Sequence, residues 1–219
     1  TGALVHYEAA TSGLSDNFIW RMYESHDGTL WVGTWLRTHK LITSITAFPL
    51  HLPHPTNTNA GLQLVTNLLE DRNGMLWIST WGNSVVRIDR STGAVTEYRH
   101  DPNDPNSLGN NIVSCLYEDR SGALWFGSGG IVLSRYDGAT KRFTHFWHDP
   151  SNPASRGSST ITCIFEDRQG RLWIGTEFGG LERLDSATGL FRHFQHNQKD
   201  STSVAHQSID TIYEDRSGV

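Results

Sequence analysis

The chain has 219 residues with 18 Lys and Arg against 23 Asp and Glu, a formal charge of −5 with no basic cluster, so the electrostatic footprint of a nucleic-acid binder is missing. No apolar stretch approaches the ~20 residues that a membrane-crossing helix needs. No secretory leader is visible at Thr1, so the sequence does not itself fix the compartment.

Self-similarity at a fixed period organises everything else. In chain order, the opening run from Ala3 to Glu8 matches the fourth strand of a repeat and is expected as an unpaired edge. The pairs Leu30-Trp31, Leu76-Trp77, Leu124-Trp125 and Leu172-Trp173 then follow at spacings of 46, 48 and 48 positions. Ahead of each pair stands a turn sequence. It reads Glu-Ser-His-Asp-Gly from Glu24, then Glu-Asp-Arg-x-Gly from Glu70, Glu118, Glu166 and Glu214. Behind the pairs comes Thr92-Gly93 leading to Tyr98, and Thr188-Gly189 leading to Phe194. At Ala139-Thr140 a lysine, Lys141, replaces the glycine.

The third repeat shows the strands most openly. Ile112 to Glu118 is rich in β-branched and apolar residues, and Asp119 to Gly122 has the Asp-first, Gly-last form of a type I turn. Ala123 to Gly127, Leu133 to Asp137 and Arg142 to Trp147 supply three further strands. No segment sustains a helical period of 3.6. Four short strands per repeat of about 40 to 50 residues predict an all-β fold, a β-propeller of four-stranded antiparallel blades. The repeats run over about 17–62, 63–110, 111–158 and 159–206. The stretches 1–16 and 207–219 are edges of a split or incomplete fifth, with Ile209 to Glu214 as the second unpaired edge. The whole of 1–219 is one array, expected as a portion of a larger propeller, and its unpaired edges could support self-association.

Several conspicuous residues have structural readings. Trp31, Trp77, Trp125 and Trp173 are expected to pack between neighbouring blades. In the Asp-Arg-x-Gly turns, Asp bonds its own backbone and Gly takes positive φ. Cys115 and Cys163 occupy one repeat position in first strands and are expected as free thiols. His100, His148 and His196 recur after fourth strands, too far apart for a coordination sphere with bonds of ~2.0–2.1 Å, and are read as shaping their loops. His51 and His54 form a close pair in a proline-rich loop with no third ligand nearby. No metal site and no cofactor is expected.

A site therefore falls to loops on the uniform scaffold. In propellers, the loop leading into the first strand and the loop joining strands two and three build one mouth of the channel. Four residues after each anchor Trp the sequence reads Trp35, Trp81, Gly129 and Glu177, with Arg37, His39, Asn83 and Phe178 beside them. The position leading into the first strand reads Asn17, Gln63, Asn111, Ser159 and Gln207, all polar. Aromatic rings beside amides and charges suit a sugar, which has an apolar face and a rim of hydroxyls. The candidate ligand residues are Trp35, Arg37, Trp81, Asn83, Glu177, Phe178, Asn17 and Asn111. Trp35 and Trp81 could equally pack on neighbouring blades, and the polar first-strand positions could equally satisfy backbone groups.

The string from Glu166 to Phe194, with Asp-Arg-x-Gly-x-Leu-Trp-Ile-Gly-Thr, then Gly-Gly-Leu-x-Arg-x-Asp and Thr-Gly-x-Phe-x-x-Phe, closely resembles the two-component regulator propeller repeat. So does His-Asp-Pro-x-Asp-Pro-x-Ser-Leu from His100 to Leu108. The resemblance covers nearly the whole chain. It implies a large propeller, commonly seven-bladed, in the extracytoplasmic sensor half of hybrid histidine kinases and some diguanylate cyclases. A small all-β domain and a membrane helix usually follow there, and known ligands tend to be oligosaccharides. The expectation is a periplasmic or extracellular sensor binding an oligosaccharide or similar polar small molecule, with any kinase outside this chain. Two other classes stay open: a propeller lyase like those that open streptogramin antibiotics, whose Gly-x-Leu-Trp-Phe blades Gly122 to Phe126 is similar to, and a protein-binding scaffold. His39 and Glu177 are the candidate bases of the lyase reading.

Overall fold

A computed structural model describes residues 8, 10, 14, 17–34, 38–42, 47–51, 65–82, 84–130 and 132–218. They form sixteen strands. The first blade holds β1 (Ile19–Glu24), β2 (Leu30–Thr34), β3 (Thr38–Ile42) and β4 (Ala47–His51). The second holds β5 (Val65–Glu70), β6 (Met75–Thr80), β7 (Val85–Asp89) and β8 (Val95–Tyr98). The third holds β9 (Val113–Glu118), β10 (Leu124–Ser128), β11 (Val132–Asp137) and β12 (Arg142–Trp147). The fourth holds β13 (Ile161–Glu166), β14 (Leu172–Thr176), β15 (Leu181–Asp185) and β16 (Leu190–Phe194). Within every blade the strands are neighbours in sequence order, so the fold is all-β, built of four-stranded antiparallel propeller blades.

The chain divides into two compact units, Thr1–Glu97 and Tyr98–Val219. In the first unit, Trp31 of β2 is buried with Val65, Leu68, Leu76, Ile78, Val86 and Ile88 of the second blade. In the second unit, Trp125 of β10 is buried with Ile161, Ile164, Leu172, Ile174, Leu184 and Phe191 of the fourth blade. The anchor Trp is thus the wedge between sheets that the repeat predicts.

The turn ahead of each second strand explains part of its sequence directly. Asp71, Asp119 and Asp167 accept through Oδ1 from backbone N–H groups two and four residues on. Their Oδ2 atoms accept from the indole N–H of Trp77, Trp125 and Trp173 at 2.7–2.8 Å. Burial alone would raise the Asp167 carboxyl, but the Trp173 indole and the Arg171 backbone and guanidinium outweigh it and hold it at about 2. The turn Gly closes at positive φ, as at Gly122 with φ 85°.

Two features fasten blade to blade inside each unit. The turn Glu accepts from the backbone of the preceding turn: Glu70 from His26 at 3.0 Å, Glu166 from Arg120 at 2.6 Å. The Arg120 guanidinium also reaches the Arg168 carbonyl at 2.9 Å. In addition, all four first strands carry a β-bulge near their start, at the register steps Ile19/Arg21, Val65/Asn67, Gly127/Ser128 and Ile161/Cys163. In the third blade the bulged Ser114 turns its hydroxyl to donate to the Ile161 carbonyl of the fourth. Arg21 Nε donates likewise to the Thr66 carbonyl.

Cys115 and Cys163 are both unbridged. Residues Ala3 to Tyr7 lie outside the described residues. The segment around Ile209 runs beside the fourth blade: Ile209 N–H donates to the Thr176 carbonyl at 2.9 Å, and its own carbonyl accepts from the Thr162 hydroxyl. Among the described residues, none of Ile209 to Glu214 belongs to a strand.

Candidate functional site

The second unit brings together the two loop types expected to share a mouth. Phe178 N–H donates to Ser159 Oγ at 2.9 Å, and Glu177 N–H to the Thr160 carbonyl at 2.9 Å. The loop leading into β13 and the loop between β14 and β15 are therefore stitched side by side. Gly180 N–H continues the seam to the Gln207 carbonyl at 2.8 Å. Glu177 is half-buried, while Phe178 is 73% exposed, a large ring held by its backbone with its face in solvent.

The remaining candidates are dispersed. Trp81, in the first unit, is 49% exposed, and Asn17 is exposed. Asn111 uses its side-chain oxygen to accept from His100 N–H at 2.7 Å, which gives it a backbone-satisfying task. Trp35, Arg37 and Asn83 lie outside the described residues, as does His54, and of the His39 side chain nothing is described. The recurring histidines shape their loops as the spacing predicts: Nδ1 of His100, His148 and His196 meets the carbonyls of Leu108, Arg156 and Val204, each at 2.8 Å. Among the described residues no group of three or more His, Cys, Asp or Glu is placed to hold a metal ion.

Beside Phe178 lies a cavity of about 540 Å³, within the usual size of small-molecule sites at roughly 300–1,000 Å³. Its walls come from the long connection between β12 and β13, from Phe178 and Gly179, from Glu182 on β15, from His193 on β16 and from Gln195 just after it. Two charged side chains in the wall, Arg156 and Glu182, are fully buried. Arg156 Nη1 donates to the carbonyls of Gly130 at 2.9 Å and Gly157 at 2.6 Å, and Nη2 donates to the Ser159 carbonyl. Glu182 Oε1 accepts from Gly157 N–H at 3.0 Å. A Cβ at residue 157 would stand 2.3 Å from that oxygen, so only glycine admits the carboxylate so close. Among the described residues, Glu182 Oε2 and Arg156 Nε meet no hydrogen-bond partner.

His193 completes the cluster, with Nδ1 3.8 Å from Glu182 Oε1. Its Nε2 lies 2.9 Å from the Ser155 carbonyl, which can only accept, so Nε2 carries the proton. Nδ1 then donates toward Glu182 only when the ring is charged. Burial pushes the Glu182 carboxyl up from its ordinary value, against the pull of Arg156 and then His193. Burial also pushes the Arg156 guanidinium down, against Glu182.

The repeat supplies its own control for this cluster. By strand register Glu182 lies opposite Ile174 and His193, as Ser134 lies opposite Phe126 and His145, and Val86 opposite Ile78. The position of Arg156 is Leu108 one repeat earlier, and in the third blade Ser134 Oγ meets His145 Nδ1 at 3.0 Å with no charge involved. The blade thus folds without buried charge at these positions. Burying charges costs several kcal/mol each before pairing. A charged pair that lines a cavity in the fourth blade, at positions where the third blade carries Leu108 and Ser134, is therefore a candidate functional feature. The signal was present in the sequence as two departures, Leu108 to Arg156 and Ser134 to Glu182, in strands and connections that loop-centred reasoning passed over.

Comparison with known proteins gives the repeat type. The description "Two component regulator propeller" matches residues 13–36, 62–82, 107–130 and 155–178, one segment in each blade. The chain carries four two component regulator propeller repeats. Among solved structures, the extracellular domain of a hybrid two component system from B. thetaiotaomicron is similar at TM-score 0.77 and 24% identity, over 94% of this chain and 27% of that one. The chain thus spans about a quarter of that domain's length. Virginiamycin B lyase from Staphylococcus aureus is similar at TM-score 0.63 and 16% identity, over 83% of this chain and 56% of that one. A Bacteroides caccae protein of unknown function gives TM-score 0.59 and 8% identity, over 90% and 67%. At these identities the likeness is one of fold. Among curated proteins none matches the chain significantly. Among the described residues no helix is long and apolar enough to cross a membrane.

Proposed function

We propose that this chain is part of the ligand-binding sensor portion of a two-component type signalling protein, that it works outside the cytoplasm, and that the cavity of its fourth blade holds an oligosaccharide or similar polar small molecule. The observation that carries the reading is the fully buried Arg156 and Glu182, each with one open hydrogen-bonding atom, in the wall of a cavity rimmed by the exposed Phe178. The third blade packs Leu108 and Ser134 at the corresponding positions, fully buried and without charge. The four repeats support the sensor role, and the extracellular designation of the B. thetaiotaomicron domain supports the compartment. Phe178 is the residue of the loop reading that lines this cavity, with Glu177 beside it in the chain but outside the lining, and Trp81 on the corresponding loop of the second blade belongs to the other unit. The reading assigns binding to this chain and places turnover and signalling output elsewhere.

Screening the chain on an immobilised glycan array, then titrating retained glycans by calorimetry into wild type and Phe178→Ala, tests it. A ring stacked on a sugar contributes about 1 kcal/mol beyond its area, so Phe178→Ala is expected to weaken binding roughly fivefold. Identical affinities in the two proteins would remove the cavity rim from the site.

A further inference from the structure

Resting on the binding role just proposed, we infer that Gln195 is the size-determining residue of the fourth-blade cavity, and that an indole in its place would close the cavity to a pyranose ring lying against Phe178. The third blade repeats the same structure 48 residues earlier, so it shows which side chains occupy the corresponding space there. Two positions differ in bulk. Gln195 stands where the third blade carries Trp147, and Gly180 where it carries Val132. Val132 is fully buried and pairs with Trp147 across β11 and β12. Its Cγ2 would lie 2.9 Å from a Cβ at Gly109, whose fourth-blade counterpart Gly157 lines the cavity. Gly180 puts no side chain there. It is held to glycine by a φ of 81° and by the Phe194 carbonyl, 2.4 Å from where a Cβ would stand.

The end of the fourth strand completes the opening. In the third blade the Trp147 ring lies 5.7 Å from that of His145. The counterparts of both, Gln195 and His193, are in the cavity wall. A tryptophan in place of Gln195 would therefore lay its ring beside His193, in space that belongs to the cavity. The aromatic ring has changed places between the blades: the third has Gly130 on the loop and Trp147 on the strand, the fourth Phe178 on the loop and Gln195 on the strand. A ring on the loop can take a ligand only if the strand side of the cavity leaves it room. Gln195 is itself exposed, so its size can change without repacking a core.

The test titrates the glycans retained by wild type into Gln195→Trp, Gln195→Phe and Gln195→Ala, records the melting temperature of each, and adds a crystal structure of Gln195→Trp. The third blade folds with tryptophan at this position, so the variants are expected to melt with wild type. Gln195→Trp is expected to weaken binding roughly tenfold or more, and Gln195→Phe by less, through steric exclusion from the cavity. Gln195→Ala is expected to bind as wild type does. Unchanged binding in both ring variants would overturn the inference while leaving the sensor reading in place. So would an equal loss in Gln195→Ala, which would make the amide and not its size the determinant. Should wild type retain no glycan, the sugar-sensing reading falls and the crystal structure alone decides the size inference. An indole beside His193 with the cavity closed supports it, and an indole turned to solvent with the cavity open overturns it.

Discussion

Asp71, Asp119 and Asp167 each divide one carboxylate between two tasks, Oδ1 folding the turn and Oδ2 fixing the indole of the wedge Trp. The turn role follows from sequence alone, since Asp before x-x-Gly has few other uses. The indole role does not, because it depends on the hairpin bringing residue i+6 back over residue i. Residue identity was also the hidden signal at Arg156 and Glu182, which look like ordinary surface charges until the structure buries them. With Arg156→Leu alone, Glu182 keeps its burial and loses its opposite charge, a change that costs about 3–5 kcal/mol. A carboxyl raised in the folded state favours folding at pH below its ordinary value, and that contribution is lost as pH rises through the raised value. The Arg156→Leu deficit should therefore be larger at pH 7 than at pH 4, and Arg156→Leu with Glu182→Ser should recover most of it. Urea denaturation at the two pH values measures this, and an Arg156→Leu protein as stable as wild type at pH 7 would show that the pair is not coupled.

At the scale of strands, the third blade shows how closely periodicity located the elements. The expected runs Ile112 to Glu118, Ala123 to Gly127, Leu133 to Asp137 and Arg142 to Trp147 differ from β9 to β12 by at most one residue at either end. What periodicity did not reveal is why each first strand tolerates a bulge and why three of the four second strands carry glycine one residue before their end. In the third blade the two are linked, because the bulge turns the Ser114 hydroxyl toward the next blade and Gly127 lets that blade approach. A Cβ at Gly127 would stand 2.4 Å from Cys115 Sγ and 2.6 Å from Ile161 Cγ2. Gly127→Ala should cost about 1–3 kcal/mol through overpacking between the third and fourth blades. Gly138→Ala, at a turn where nothing lies within 4 Å, should stay within about 0.5 kcal/mol of wild type. Equal melting temperatures for the two variants would contradict the close-approach argument. The Glu and Arg of the turn sequence likewise look like turn decoration in one dimension, and in three dimensions they clasp the neighbouring turn.

For the molecule as a whole, the repeat made the blades legible because each blade restates the same packing problem, and four restatements average out local ambiguity. A ligand site is the opposite kind of signal, present once, and it shows only against that average. Reasoning from loops found Phe178 and Glu177 because they vary at a mouth position. It missed Arg156 and Glu182, which vary in the long connection and in the third strand, and His193, whose third-blade counterpart is His145. Trp81 is exposed as a loop residue would be, yet the fully buried charges of Arg156 and Glu182 stand beside the fourth-blade cavity. The measurement that tests the central claim most directly is a crystal structure of the chain with a glycan retained on the array. The account predicts ligand density in the fourth-blade cavity, with a ring against Phe178. Ligand density at Trp81 in the first unit, with the fourth-blade cavity empty, would contradict it.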